Sequence, residues 1–238
     1  MMRTLPAQLL AAVRAVVVLT VLLGVLYPLA VTGVAQVLFA DKANGSLVKV
    51  NGKTVGSDLI GQSFSDAEGA PLPQWFQPRA SNAGDGYDPT STAASNLGPE
   101  DVTDTPDDPA TEQDESDTSL LTLVCTRSKK VAEANGVDGA RPYCATDGTG
   151  TPNQRGPLNA EDSPVPADAV TSSGSGLDPH ISPEYARLQA ARVAKARNLP
   201  VERVLGLVDD LVQGRTLGFL GEPRVNVLRL NLALTQLS

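Results

Sequence analysis

Between Ala15 and Ala40 the chain reads AVVVLTVLLGVLYPLAVTGVAQVLFA, 26 residues without a single charge. As a helix this run would extend about 39 Å, more than the ~20 residues that a bilayer core requires. Pro28 lies inside it, where a proline removes one backbone donor and kinks a helix. Arg14 stands at its N-terminal edge, where a long side chain reaches back to the head groups. A cleaved signal peptide is the competing reading, since Gly33 to Ala35 place small residues where a signal peptidase inspects the chain. The run is well beyond the ~7–15 apolar residues of such a signal, which favours a retained anchor. Arg3, Arg14 and the amino terminus form the positive flank, so the N-terminus is expected in the cytoplasm and residues from Asp41 onward outside.

Charge elsewhere is acidic. The 238 residues carry a formal charge of −8 with a pI near 4.7, which argues against a nucleic-acid partner. Residues 1–40 hold two arginines and no acid, which leaves 17 basic and 27 acidic side chains for the remainder. Nine of those acids fall within residues 100–118, which contain no base. A solvated surface insertion is expected there, with a partner-seeking acidic segment as the alternative. Only 4% of residues are aromatic, so the soluble core is expected to be modest and built from Val, Leu, Ile and Ala. Both cysteines, Cys125 and Cys144, lie in the exported part. They allow one intramolecular pairing, which an oxidising compartment would preserve and which would contribute roughly 3 kcal/mol. Two free thiols in a flexible insertion are the alternative.

After the anchor, SLVKV and KTV flank Asn51-Gly52, a hairpin signal. Residues 75–99 are rich in Gly, Pro, Asn and Ser without a sustained period, and Trp75, Phe76 and Tyr87 are their large anchors. Leu121, Val124, Ser128, Val131 and Ala132 fall on one helical face, which stops at Asn135-Gly136. Ser182 is a natural N-cap, Pro183 suits the first helical position, and Glu184 complements the dipole of a helix running to about Leu199. Val201, Val204, Leu205, Val208, Leu211 and Val212 form a second apolar stripe, closed by Gly214. Finally, Leu228, Leu230, Leu232 and Leu234 alternate with Arg229, Asn231 and Ala233, which reads as a strand with one buried face. The expected architecture is α+β: one N-terminal transmembrane helix, then a single extracytoplasmic mixed α/β domain with long loop insertions. Its expected bounds are 1–14 cytoplasmic, 15–40 transmembrane and 41–238 extracytoplasmic, with disordered insertions at 101–119 and 136–163.

The segment SSGSGLDPHIS, Ser172 to Ser182, gathers the residue types of a reactive site and the chain's one histidine. Ser172, Ser173, Ser175, Asp178 and His180 would suit acyl transfer, but triad members come from separated elements and the G-x-S-x-G elbow is absent. Gly174 and Gly176 before a helix suggest a phosphate cradle, yet no Walker motif and no basic residue accompany them, and Asp178 would repel an anion. One histidine and two distant cysteines do not make a zinc set, so no metal is expected. A rigid turn is the preferred reading, with Asp178 capping, Pro179 stiffening and His180 as a hydrogen-bonding strut.

Taken together, LLGVLYPLAVTGVAQVLF, ANGSL, GSDLIGQSF, WFQPRAS, SNLGP, VTSSGSGLDPHISPEYARLQAARVAKARNLP and LGFLGEPRVNVLRLNLAL resemble the C subunit of the Kdp potassium-transporting P-type ATPase. The resemblance spans nearly the whole chain except about 101–119 and 136–163. It departs at Ala80, where the family usually has Pro, and at Ala93-Ala94, where it has Gly-Gly. What the resemblance implies is an accessory subunit, no enzyme by itself, in the plasma (cell inner) membrane. Its partners would be a channel-like A subunit, an ATP-hydrolysing B subunit, a small F subunit and membrane lipid. ATP, Mg and K+ would be handled by those partners, and no cofactor by this chain. Two modes of action are implied: an extracytoplasmic cap needed for assembly, or a chaperone that raises the ATP affinity of the B subunit through the Ser/Gly loop. A membrane-anchored exoenzyme is the remote rival. The loop Ser173, Gly174, Ser175, Gly176, Leu177, Asp178, Pro179 and His180 is the family signature, either structural or a partner contact. Arg79, Asn96, Glu222, Arg224 and Asn226 are further candidate partner contacts.

Overall fold

The computed structural model describes residues 5–105, 117–141, 144 and 164–237. Residues 106–116, 142–143 and 145–163, which hold most of the two expected insertions, lie outside the described residues. The chain divides into two compact units, Met1–Ser57 and Asp58–Ser238.

In the first unit, α1 (Leu5–Leu19), a π-helical stretch (Thr20–Leu26) and α2 (Tyr27–Leu38) make one continuous apolar helix. It is long and apolar enough to cross a membrane. The wide turn falls just before Pro28, and the Tyr27 N–H reaches back to the Leu22 carbonyl. A widened turn accommodates the proline ring, which in a regular helix collides with the carbonyl four residues earlier. One helical turn follows, α3 (Ala40–Ala43), and then the hairpin β1 (Leu47–Val50) and β2 (Lys53–Ser57). Its turn is the expected Asn51-Gly52, with φ of 50° and 79°, and Val50 faces Lys53. Both positive values suit the twist of the strands, which is why Asn-Gly serves there.

The second unit packs helices around an irregular segment, with one minimal sheet among the described residues. Its elements are α4 (Leu120–Asn135), α5 (Ala167–Val170), β3 (His180–Ile181), α6 (Pro183–Arg197), α7 (Val201–Asp210), β4 (Val225–Asn226) and α8 (Val227–Leu234). Ser119 caps α4 by accepting the Thr122 N–H, and Gly136 ends it at φ 70°. Cys125, Ser128 and Ala132 form its buried face. Cys125 and Cys144, 19 residues apart, are joined as a disulfide. Ser182 caps α6 through the Tyr185 N–H, with Pro183 at its start. The Ser182 hydroxyl and N–H are in turn held by Asp168 at 2.8 and 2.7 Å. Val204 and Val208 of α7 are fully buried. That helix stops at Asp210, short of Gly214, because Gln213 leaves it to pair with Arg224.

The expected strand over Leu228–Leu234 is a helix. Asn226 caps it, accepting the Arg229 N–H at 3.0 Å, and Leu, Ala and Arg are strong helix formers. The sequence fits both periods, since Val227, Leu230, Asn231 and Leu234 also share one helical face, and all four are buried, as is Leu228 beside them. Alternation alone had placed Asn231 in solvent. It is 1% exposed.

Burial of Asn231 is explained by its partner. Phe76 is fully buried in a segment that pairs with no strand among the described residues, and its main chain is completed by Asn231: the Phe76 N–H donates to Oδ1 and Nδ2 donates to the Phe76 carbonyl, each at 2.9 Å. Gln189 of α6, also 1% exposed, does the same for Gln77 at 2.7 and 3.2 Å. Arg192 donates to the Pro73 and Trp75 carbonyls, and Arg197 donates to Gln74 while lying 4.2 Å over the Trp75 ring. Main-chain groups buried without such partners would cost about 1–3 kcal/mol each. Asn231→Leu should therefore lower the unfolding free energy of the full chain in detergent by about 2–4 kcal/mol, read from denaturant midpoints. A loss below about 0.5 kcal/mol, the size of an ordinary surface change, would mean that the amide clamp carries no stability.

Candidate functional site

The loop leaving α5 is closed by its own hydrogen bonds. Ser173 is buried, and its N–H donates to the Ala80 carbonyl at 2.8 Å. Its hydroxyl oxygen accepts the Asp178 N–H at 3.2 Å, and the Ser175 hydroxyl accepts the Leu177 N–H at 3.1 Å. The two hydroxyls lie 3.3 Å apart. The Gly176 N–H returns to the Ser173 carbonyl, so the donors of three successive residues are spent inside the loop. Two glycines allow main chain to pass here. Gly176 has φ 74°, and a Cβ on it would stand 2.8 Å from the Ala93 carbonyl oxygen. A Cβ on Gly61 would stand 2.6 Å from the Asp178 carbonyl oxygen. The Ser175 carbonyl accepts the Ala93 N–H and the Leu177 carbonyl accepts the Gly61 N–H, so the loop joins the chain at residues 61, 80 and 93.

Asp178 is the electrostatic centre. Its Oδ2 accepts from Arg79 Nη1 at 3.3 Å, and its Oδ1 accepts the His180 N–H at 2.9 Å with the ring Nδ1 at 3.6 Å. Burial alone would raise the carboxyl pKa. The His180 ring and N–H and the Arg79 charge outweigh burial and hold it below the ordinary carboxylate value. Arg79 also reaches the Thr171 hydroxyl and the Ser172 carbonyl, while its Nε is buried without a partner. The Pro179 carbonyl accepts the Val227 N–H, and His180 pairs with Asn226 across β3 and β4. Asn226 is 3% exposed and turned inward, its Nδ2 donating to the Asp58 carbonyl at 3.0 Å. Asp58 in turn receives Arg229.

Two clefts border this centre. A shallow one of 580 Å³ brings Arg79, Asp178 and His180 together with Glu222 and Arg224. The other, of 480 Å³, lies between residues 61–87, α4, the loop and α6. Arg127, Lys130 and Arg192 line it, as does Tyr185, whose hydroxyl is pushed up to about 12, first by burial. Asn96 is exposed and lines neither cleft. Among the described residues no three His, Cys, Asp or Glu side chains converge as a metal set would. Sequence reading passed over Gln189, Arg192 and Asn231. The signal available was an amide set among apolar helical neighbours, such as Gln189 between Ala186, Ala190 and Val193.

A family model for the c chain of the K+-transporting ATPase, KdpC, matches residues 9–138 and 145–236. The chain belongs to the KdpC family. The match takes in the apolar helix, the irregular segment, the loop and every helix of the second unit. Relatives named as potassium-transporting ATPase KdpC subunits agree along nearly the whole length. The Myxococcus xanthus protein is 48% identical over 226 residues, covering 94% of this chain and 86% of its own length. That of Streptomyces coelicolor is 47% identical over 233 residues, covering 95% and 91%. That of Mycobacterium tuberculosis is 43% identical over 230 residues, covering 97% and 98%. As a KdpC-family chain, the protein is a subunit of the K+-transporting ATPase, and its N-terminal apolar helix, the one such helix among the described residues, fits a membrane-anchored subunit of a transport complex.

The depressed Asp178 carboxyl has a stability consequence of definite sign. Its contribution is complete above the unfolded value near ~3.9 and is lost as pH falls through the lower folded value. Arg79→Met should move that acid loss to higher pH, and Asp178→Asn should remove it. Thermal midpoints between about pH 2 and 6 read both effects, and superimposable profiles for wild type and Arg79→Met would refute the pairing.

Proposed function

We propose that the chain is the non-catalytic accessory subunit of an ATP-driven, high-affinity potassium uptake complex of the P-type class. In this reading it is needed to assemble and stabilise the channel-like A subunit and the ATP-hydrolysing B subunit, with the small F subunit, and it caps their extracytoplasmic side. The observation that carries this reading is the closed loop. The Ser173 and Ser175 hydroxyls and the N–H groups of Gly176, Leu177 and Asp178 all serve the domain's own backbone. A loop spent in this way holds a surface in shape. ATP, Mg and K+ then belong to the partner subunits.

Residues 1–14 are cytoplasmic in this proposal, 15–40 cross the plasma membrane among lipid, and 41–238 are extracytoplasmic. Arg3 and Arg14 before the apolar run support that orientation. Asn96, Glu222 and Arg224 are the candidate contacts that reach the surface, while Arg79 and Asn226 position the site from within. The alternative, a loop that raises the ATP affinity of the B subunit directly, needs donors turned toward a nucleotide and a domain on the cytoplasmic side. The N–H groups of Gly176, Leu177 and Asp178 are spent within the loop, and the charge flank favours the opposite side of the membrane.

Deleting the chain should abolish ATP-driven growth at limiting potassium and reduce recovery of the A–B complex from membranes. Uptake unimpaired in its absence would sink the accessory-subunit reading. Sidedness has a separate test. The native cysteines are paired and buried, so an exposed reporter is required, and Asp85→Cys supplies one. A membrane-impermeant thiol reagent should label it on intact cells. Labelling seen only after lysis would reverse the orientation and restore direct nucleotide contact.

A further inference from the structure

The stretch between α7 and β4 is a small, closed hairpin. Gln213 and Arg224 exchange both backbone hydrogen bonds at 2.8 and 3.0 Å, and Thr216 and Leu220 do so at 2.9 Å each. Arg215 and Glu222 face each other as an ion pair at 2.5 Å. At the tip, Leu217 and Gly218 have φ of 56° and 82°, and the Phe219 N–H returns to the Thr216 carbonyl. Both residues lie in the left-handed region, which favours Gly and Asn, within the three-residue loop that Thr216 and Leu220 close. The hairpin at Asn51-Gly52 obeys that preference. Here a leucine occupies the strained position, at a cost of about 1–2 kcal/mol, and its side chain is 79% exposed. Phe219 and Leu220 beside it are 68% and 50% exposed. The leucine therefore gains nothing inside the domain that offsets its backbone. A local rule broken without internal compensation marks a contact made elsewhere.

Among the described residues of 58–238, the other large exposed apolar side chains are Leu59, Ile60 and Val102. The hairpin tip is the one place where three are gathered on a braced support. Lipid is a poor occupant for it. Residues 58–238 carry 14 basic and 26 acidic side chains, so an anionic bilayer surface repels this domain. Arg215, the base nearest the tip, is already neutralised by Glu222. A second copy is a poor occupant too, because two convex tips meeting across a two-fold axis bury far less than the ~1,000 Å² a specific interface requires. A preformed apolar tip rimmed by Arg215, Glu222 and Arg224 instead has the anatomy of an anchor at the centre of a larger protein contact.

We infer that the Leu217-Gly218-Phe219-Leu220 tip inserts into an apolar, polar-rimmed socket on another subunit of the transport complex. This contact rests on the proposed accessory role. Its test uses the full chain expressed with the other subunits. Leu217→Asn restores the residue the turn prefers, so thermal stability of the chain should hold or rise. Recovery of the transport complex on the tagged variant should nevertheless fall at least about tenfold, and Phe219→Ser should act likewise. A photo-crosslinking residue at Phe219 should capture a different subunit. Wild-type recovery separates the tip contact from the accessory role. If the wild-type chain fails to copurify with the complex, the accessory role fails and the contact with it. If wild type and both variants copurify equally, the contact alone is refuted. Crosslinks to lipid or to a second copy of this chain would overturn it as well.

Discussion

Everything in the second unit depends on how five residues of irregular main chain, Pro73 to Gln77, are kept in a core without a strand beside them. Backbone donors and acceptors removed from water must be answered, and here side chains answer them. Asn231 and Gln189 each present an amide to both sides of one residue, as a neighbouring strand would. Arg192 and Arg197 take the flanking carbonyls, and Asn135 of α4 holds Arg192 in place. Three helices are thereby fixed to one extended segment by polar contacts as well as by the packing of Phe76, Val193, Leu230 and Leu234. This accounts for a stable domain with little sheet and few aromatic residues.

The same economy governs the loop that ends at His180. Serine hydroxyls, a carboxylate and an imidazole are the ordinary components of a reactive site, but here they brace backbone. Ser173 and Ser175 accept N–H groups of their own turn, and Asp178 joins Arg79 to β3. The loop is also bonded to residues 61, 80 and 93, so several segments brace the backbone that carries Asp178. The strained hairpin beyond α7 then reads as the outward face of this rigid frame.

Much of the local structure was legible because short-range chemistry dictates it. Ser182 begins a helix, Gly136 ends one, and Asn51-Gly52 turns a hairpin, each through contacts within a few residues. The reading of Leu228–Leu234 failed for a definite reason. Its leucines satisfy a period of two as well as a helical face, and the deciding fact was Asn226 as a cap. The end of α7 was misplaced because Gln213 finds a partner eleven residues later, which no helical pattern announces.

The sequence by itself determined the membrane helix, the helix caps, the turn glycines and the family, since each is written in contiguous residues or in long motifs. Only the tertiary structure decided what Gln189, Asn231 and the signature loop do. Their partners lie 93 and 99 positions away in the chain for the loop's links to Ala80 and Arg79, and 112 and 155 away for the two amides. A polar side chain's role is set by which unsatisfied group it meets after folding; apolar neighbours mark such a residue as buried, but they do not name the group it will meet.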